Sequence, residues 1–207
     1  MKLTSSSFES GGPIPSSFAL AKMHASDHVE MTDNRSPQLA WGELPAGTKS
    51  LAVVCVDSDA PTKPDDVNQE GRTVPADLPR ADFYHWALVD LDPDGGALQE
   101  GEFSSGVTAG GKDGPGSARG TRSGTNNYTQ WFEGDADMGG AYFGYDGPCP
   151  PWNDALVHHY HFTVYALDVE RCPVDGTFDA GAVLSAIEGH VLDKATLTGT
   201  YTLNPEL

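Results

Sequence analysis

The sequence predicts a mainly β domain with few short helices, and three observations carry that prediction. Twenty-four Gly and fifteen Pro are spread along 207 residues instead of being gathered in one linker, as expected where ordered turns join many strands. The apolar runs are short, the longest being Leu51-Ala52-Val53-Val54-Cys55-Val56, which suits a strand covered on both faces. A convincing helical period occurs in a single stretch near the end of the chain. With 38% hydrophobic content over this length, the chain has enough apolar material for one domain, 1–207, with a substantial core.

Taken in order, the strand over 51–56 ends at Asp57. A second strand, Phe83 to Leu91, stops at Asp92-Pro93-Asp94-Gly95-Gly96, whose backbone preferences suit a turn. Residues 104–142 are crowded with Gly, Ser, Asn and Asp yet hold Tyr128, Trp131, Phe132 and Tyr142. Free linkers seldom carry so many aromatics, so this segment is expected to fold over the body and to wall a pocket. A third strand, about His158 to Leu167, places His158, Tyr160, Phe162 and Val164 on one face and His159, His161, Thr163 and Tyr165 on the other. Asp179 suits the N-cap of a helix through about Leu192, where Val183, Leu184, Ile187 and Val191 form an apolar stripe. A last strand, Thr196 to Leu203, closes the chain.

Charge and cysteine content narrow the function classes. A formal net charge of -18 repels nucleic acid and anionic membrane surfaces, so neither is an expected partner. The first residues lack the apolar stretch of a secretory signal, and no apolar run is long enough to span a bilayer, so a cytoplasmic location is expected. Cys55, Cys149 and Cys172 are odd in number and lack Cys-x-x-Cys spacing, which indicates neither a disulfide framework nor a structural zinc site. Without a secretory route, Asn34-Arg35-Ser36 and Asn127-Tyr128-Thr129 are chance matches to the glycosylation pattern.

Three segments carry the chemistry. In Asp57-Ser58-Asp59-Ala60-Pro61 the two carboxylates face opposite ways in an extended chain, and a turn stiffened by Pro61 is needed to aim Asp57 into a cavity. Asp59 is then left to accept backbone hydrogen bonds and hold the shape. The Ala60-Pro61 bond is a candidate cis peptide, with trans favoured. An isolated Asp-x-Asp is more often a surface turn, and His85 between Tyr84 and Trp86 is more often a packed side chain. The ordered set changes the weighing, because His158 and Tyr160 share a strand face and follow the rigid run Gly144-Tyr145-Asp146-Gly147-Pro148-Cys149-Pro150-Pro151. Imidazole and phenol donate hydrogen bonds to an oxyanion without a permanent charge.

Enzyme chemistries find less support. Asp57, Asp59, His85 and His158 are suitable metal-ligand types, and a metal-assisted hydrolase is the alternative function, but neighbouring side chains on the 158–161 strand diverge. No Gly-x-Ser-x-Gly elbow is present and Ser58 has no identifiable base. Gly106 to Lys112 begins a phosphate-loop pattern, but Asp113 stands where Ser or Thr is needed.

The ordered set resembles the phosphatidylethanolamine-binding protein family, in particular its bacterial Raf kinase inhibitor-like branch. The resemblance runs from Phe8 and Gly11-Gly12-Pro13-Ile14-Pro15 through Asn34 to Trp41, Leu44 to Ser50 and the three segments above, ending at Gly199-Thr200-Tyr201. It implies a Greek-key β sandwich with a small anion pocket at the ends of several strands. By position it makes Asp57, Pro61, His85, Gly147, Pro150, His158 and Tyr160 the ligand-binding residues, with Asp59, Trp86 and Pro151 as structural support. The imidazoles and Tyr160 are then expected to face phosphoryl oxygens, and Asp57 an ethanolamine ammonium. Ser58 and His159 stand where many relatives carry proline and arginine, which removes a permanent positive charge beside the pocket. The resulting expectation is a non-enzymatic protein without metal or cofactor. It binds a small anion, a phosphoryl head group or a protein partner, and homodimers are expected from bacterial relatives.

Overall fold

The structure, a computed structural model, describes residues 1–207. Its strands are β1 (Lys2–Thr4), β2 (Ala21–His24), β3 (His28–Met31), β4 (Leu39–Gly42), β5 (Ser50–Pro61), β6 (Arg80–Leu91), β7 (Ala97–Leu98), β8 (Arg122–Ser123), β9 (His158–Leu167) and β10 (Val191–Tyr201). Two short α-helices, α1 (Tyr128–Trp131) and α2 (Ala180–Ala186), and three 3-10 turns, Ser16–Phe18, Pro93–Gly95 and Ala118–Gly120, complete the set. An antiparallel five-stranded sheet has the order β10-β9-β5-β6-β8, a second sheet the order β1-β4-β7, and β2 and β3 form a hairpin.

The two larger sheets make a sandwich. Leu51, Val53 and Cys55 of β5, Trp86 and Leu88 of β6, and Phe162 and Val164 of β9 face Leu39, Trp41 and Leu98 of the smaller sheet. On the reverse face, Ala52, Val54, Ala87 and Val89 pack under Phe178, Val183 and Ile187. The unbroken apolar run of β5 follows from this placement, since a central strand with a core on each side has no solvent face for polar residues. Each large side chain so enclosed contributes roughly 1.5–3 kcal/mol.

Several boundaries differ from the sequence-based expectation. β5 does not end at Asp57 but runs to Pro61, with register shifts against β6 at Cys55/Val56 and between Asp57 and Ala60. The expected turn is therefore a bulged strand end, and extra unpaired residues there re-aim side chains without breaking the strand. The chain's cis peptide is Gly114-Pro115, so Ala60-Pro61 is trans. Asp179 caps α2 by accepting from the Ala182 N–H at 2.8 Å. That helix stops at Ala186, well before Leu192, because Gly189 takes φ +87° and Val191 already pairs with Leu167 in the sheet. Here strand pairing overrides the helical stripe.

Residues 104–142 pack over the body through Tyr128 and Tyr142, which bury against Leu20 with Phe132 beside them. Glycine serves this segment by permitting chain-on-chain contact: a Cβ on Gly140 would lie 2.1 Å from the Gly110 carbonyl oxygen. No helix is long and apolar enough to cross a membrane.

Candidate functional site

The bulged end of β5, the first half of β6, the start of β9 and the 145–151 loop meet at one end of the large sheet. Sheet register sets this convergence, because Asp57 pairs with Phe83 on one side and Tyr160 on the other. They enclose a cavity of about 210 Å³ whose polar floor is Asp57, His85, His158 and Tyr160. Pro61, Pro150 and Pro151 form stiff walls, and Met31, Trp131 and Phe132 contribute to the lining. Met31 and Trp131 are about half exposed, so they form an apolar rim.

One ligand-binding residue assigned by resemblance lies elsewhere. Gly147 does not line the cavity: a Cβ there would meet the Phe18 carbonyl oxygen at 2.1 Å and the Ala19 Cα at 2.8 Å. Its N–H donates to Asn34 Oδ1 at 2.8 Å, and its carbonyl accepts from the Tyr128 hydroxyl at 2.9 Å. The glycine thus lets the pocket loop press onto residues 18 and 19 from behind. Trp86 alternates with His85 along β6, so it enters the inter-sheet core against Tyr145 and Phe103 and supports the pocket loop from the core side.

The floor is held by an ion-pair chain. Asp57 Oδ1 accepts from the Asp59 N–H at 2.8 Å, and Asp57 Oδ2 lies 2.7 Å from His158 Nδ1. His158 Nε2 lies 3.1 Å from Asp154 Oδ2, and Arg80 grips Asp154 through Nη1 to Oδ2 at 2.6 Å and Nη2 to Oδ1 at 3.0 Å. Both ring nitrogens of His158 therefore face carboxylates, an arrangement satisfied by an imidazolium donating twice. Burial pulls its pKa down, but the hydrogen bonds to Asp154 and Asp57 outweigh burial and raise it to about 9. Burial pushes the Asp154 carboxyl up, yet His158 and Arg80 hold it below its ordinary value. The expectation of His158 as a neutral donor to an anion is corrected: both of its N–H groups are already committed.

His85 is poised differently. Its Nδ1 lies 2.8 Å from the Asp146 carbonyl oxygen. A carbonyl only accepts, so Nδ1 carries the hydrogen and Nε2 is the nitrogen left without a protein partner. Burial lowers its pKa against the opposing pull of Asp57 and Asp146, which favours the neutral ring. Tyr160 is fully buried and its hydroxyl has no partner. Burial, reinforced by Asp57, keeps that phenol protonated.

Behind His85 stands a second polar knot. The Asp146 carboxylate accepts from Asn34 Nδ2 and Asn126 Nδ2, each at 2.7 Å, and lies 2.9 Å from Lys112 Nζ. Lys112 also donates to the Tyr145 carbonyl. These bonds fix the peptide that orients His85. Asn34, read in the sequence as a chance glycosylation match, and Lys112, read as a failed phosphate loop, are thus part of the support. Arg80 and Asp154 were not singled out either, and the one available signal was the spacing of four residues between Asp154 and His158.

On the sheet's other face, Ser58 Oγ lies 3.2 Å from His161 Nε2, whose Nδ1 lies 2.9 Å from Thr198 Oγ1. Ser58 therefore has an imidazole neighbour, contrary to the sequence reading, but neither residue lines the cavity. Asp59 Oδ2 accepts from the His159 N–H at 2.8 Å, which ties the bulge to β9 and places this carboxylate outside the cavity lining.

The two histidines give stability a peaked pH profile. His158 is held at about 9 in the folded chain against roughly 6.5 when unfolded. Its contribution is fully present below pH 6.5 and is lost as pH rises through 9, an effect on the order of 3 kcal/mol. His85 is lowered, so below pH 6.5 the unfolded chain gains a proton that the folded chain resists, and stability falls there as well. Urea unfolding from pH 5 to 9.5 is expected to show a maximum near 6.5, and stability rising up to pH 9 would contradict the His158 assignment.

Comparison with known proteins extends the likeness over the whole fold. A family model described as phosphatidylethanolamine-binding protein matches residues 4–202. The UPF0098 protein YbhB of Escherichia coli K12 is 33% identical over 202 residues, covering 98% of this chain and 100% of that protein. A UPF0098 protein of Methanothermobacter thermautotrophicus is 32% identical over 201 residues, covering 97% and 98%. The crystal structure of E. coli YbcL, described as a new member of the mammalian PEBP family, superposes with a TM-score of 0.65 at 24% identity and 97% coverage of both chains.

Proposed function

The chain belongs to the phosphatidylethanolamine-binding protein family, and we propose that it is a binding protein, not an enzyme, whose pocket receives a small oxyanion. The ligand class is a phosphate-like or carboxylate group displayed by a metabolite or by a protein partner. The observation that carries this reading is the buried Tyr160 hydroxyl, which has no protein partner and belongs to a residue of the cavity lining, as does His85 with its uncommitted Nε2. An unpaired buried hydroxyl costs about 1–3 kcal/mol, and a ligand oxygen relieves that cost.

The chemistry of the cavity lining supports binding over turnover. Cys149 lines the cavity, but burial pushes its thiol up to about 12, where almost no thiolate forms. A metal-assisted hydrolase needs imidazole lone pairs, and His158 has both nitrogens turned to carboxylates.

Titrating chelator-treated protein with phosphate and phosphoethanolamine, followed by calorimetry or imidazole NMR, tests the reading. Saturable binding is expected, weakened about tenfold or more in His85→Ala, an effect of about 1.4 kcal/mol or more on the scale of one buried hydrogen bond. Equal affinity in wild type and variant would remove His85 from the site, and binding lost on chelation would favour the hydrolase.

A further inference from the structure

We propose that the pocket selects oxyanions that bring a proton of their own, so that it takes hydrogen phosphate and rejects sulfate. This rests on the anion-site reading above and sharpens it to a ligand class.

The floor is richer in acceptors than in donors. His85 spends its one hydrogen on the Asp146 carbonyl, so the neutral ring offers Nε2 to the cavity as a lone pair. His158 spends both hydrogens on Asp57 and Asp154. Asp57 accepts from Asp59 and His158 and retains a second lone pair on each oxygen. The Tyr160 hydroxyl is then the one uncommitted donor among the floor side chains. Asp57, Asp146, His158, Tyr160 and Tyr128 surround His85, and burial keeps its ring neutral against them.

Charge does not separate the two anions at pH 8, where hydrogen phosphate and sulfate are both dianions. Asp57 and Asp154 are matched by His158 and Arg80, so the floor has no surplus positive charge, and discrimination falls to the proton on the ligand. A ligand with only acceptors would set its oxygens against the lone pairs of His85 and Asp57. A site built with buried acceptors discriminates strongly against a partner that cannot donate. Hydrogen phosphate is tetrahedral like sulfate but carries an O–H, which can donate to His85 Nε2 or Asp57 while another oxygen accepts from Tyr160. A fully deprotonated oxyanion can enter if His85 first gains a proton, which turns Nε2 into a donor.

Isothermal titration of the full chain at pH 8 with inorganic phosphate and with sulfate at equal ionic strength tests this. Phosphate is expected to bind at least about tenfold more tightly than sulfate, and the gap is expected to narrow as pH is lowered, because a proton on His85 then becomes easier to gain. Calorimetry in two buffers of different ionisation enthalpy should show greater proton uptake for sulfate than for phosphate. His85→Gln, whose amide provides both a donor and an acceptor, should bring the two anions within about threefold at pH 8. If that variant does not fold, the wild-type comparison decides alone. Sulfate within threefold of phosphate at pH 8 overturns the selectivity while leaving the anion site standing. Binding of neither anion overturns the anion-site reading and the selectivity with it.

Discussion

Asp154→Ala is expected to lower the unfolding free energy by about 3–5 kcal/mol, the range seen when one partner of a buried ion pair is removed. Asp154 is 1% exposed and receives both Arg80 and His158. Its loss leaves two buried cations short of their carboxylate, and the Leu156 N–H loses its acceptor as well. Desolvation without compensation dominates here, whereas an exposed pair of the same geometry contributes about 0–1 kcal/mol. With one of its two carboxylates gone, His158 should titrate well below its wild-type value, and the decline of stability above pH 6.5 should flatten. Urea unfolding at pH 7 together with imidazole NMR measures both effects. A loss under 1 kcal/mol would mean that water, and not Asp154, satisfies Arg80 and His158.

Gly147→Ala is the second large effect, with an expected loss of about 3 kcal/mol or more, at the upper end for overpacking. The atoms a Cβ would strike are backbone, the Phe18 carbonyl oxygen at 2.1 Å and the Ala19 Cα at 2.8 Å, so no side chain can swing aside. Relief requires the 145–151 loop to retreat. That movement strains the bond that the Gly147 N–H donates to Asn34 and the one that its carbonyl accepts from Tyr128, and shifts the Asp146 peptide that orients His85. Phosphate affinity should therefore fall along with stability although the residue is outside the cavity. Unchanged stability and affinity would show that the contact with residues 18 and 19 is loose.

The fold was legible where periodicity and burial coincide. The two-faced apolar run 51–56 has the composition of a central strand, and the alternation in 158–167 places His158 and Tyr160 together because a strand repeats every two residues. Boundaries were less legible where tertiary pairing competes with local pattern, as at Val191, whose place on the helical stripe lost to the sheet. Within the site, residue types were readable but hydrogen-bond commitments were not. His85 and His158 look alike in sequence, yet one spends a single hydrogen on a carbonyl and the other spends two on carboxylates. That difference is set by Asp154, four residues from His158, and by Asp146 and Arg80, whose partners lie 61 and 74 residues away, at separations that no local motif encodes. The shared role of Asn34, Asn126 and Lys112 was illegible for the same reason, since their common target, the Asp146 carboxylate, is defined only once the chain has folded.

The rim and the floor of the pocket also have different origins in the chain. Met31 comes from the β2–β3 hairpin and Trp131 from the short helix of the 104–142 segment, whereas the floor belongs to the central strands. Substitutions in these peripheral elements can retune what is attached to the captured group while the ion-pair lattice beneath stays intact. On the proposed anion-binding reading, preference for whatever carries the anion can therefore change without disturbing the residues that would hold the anion itself.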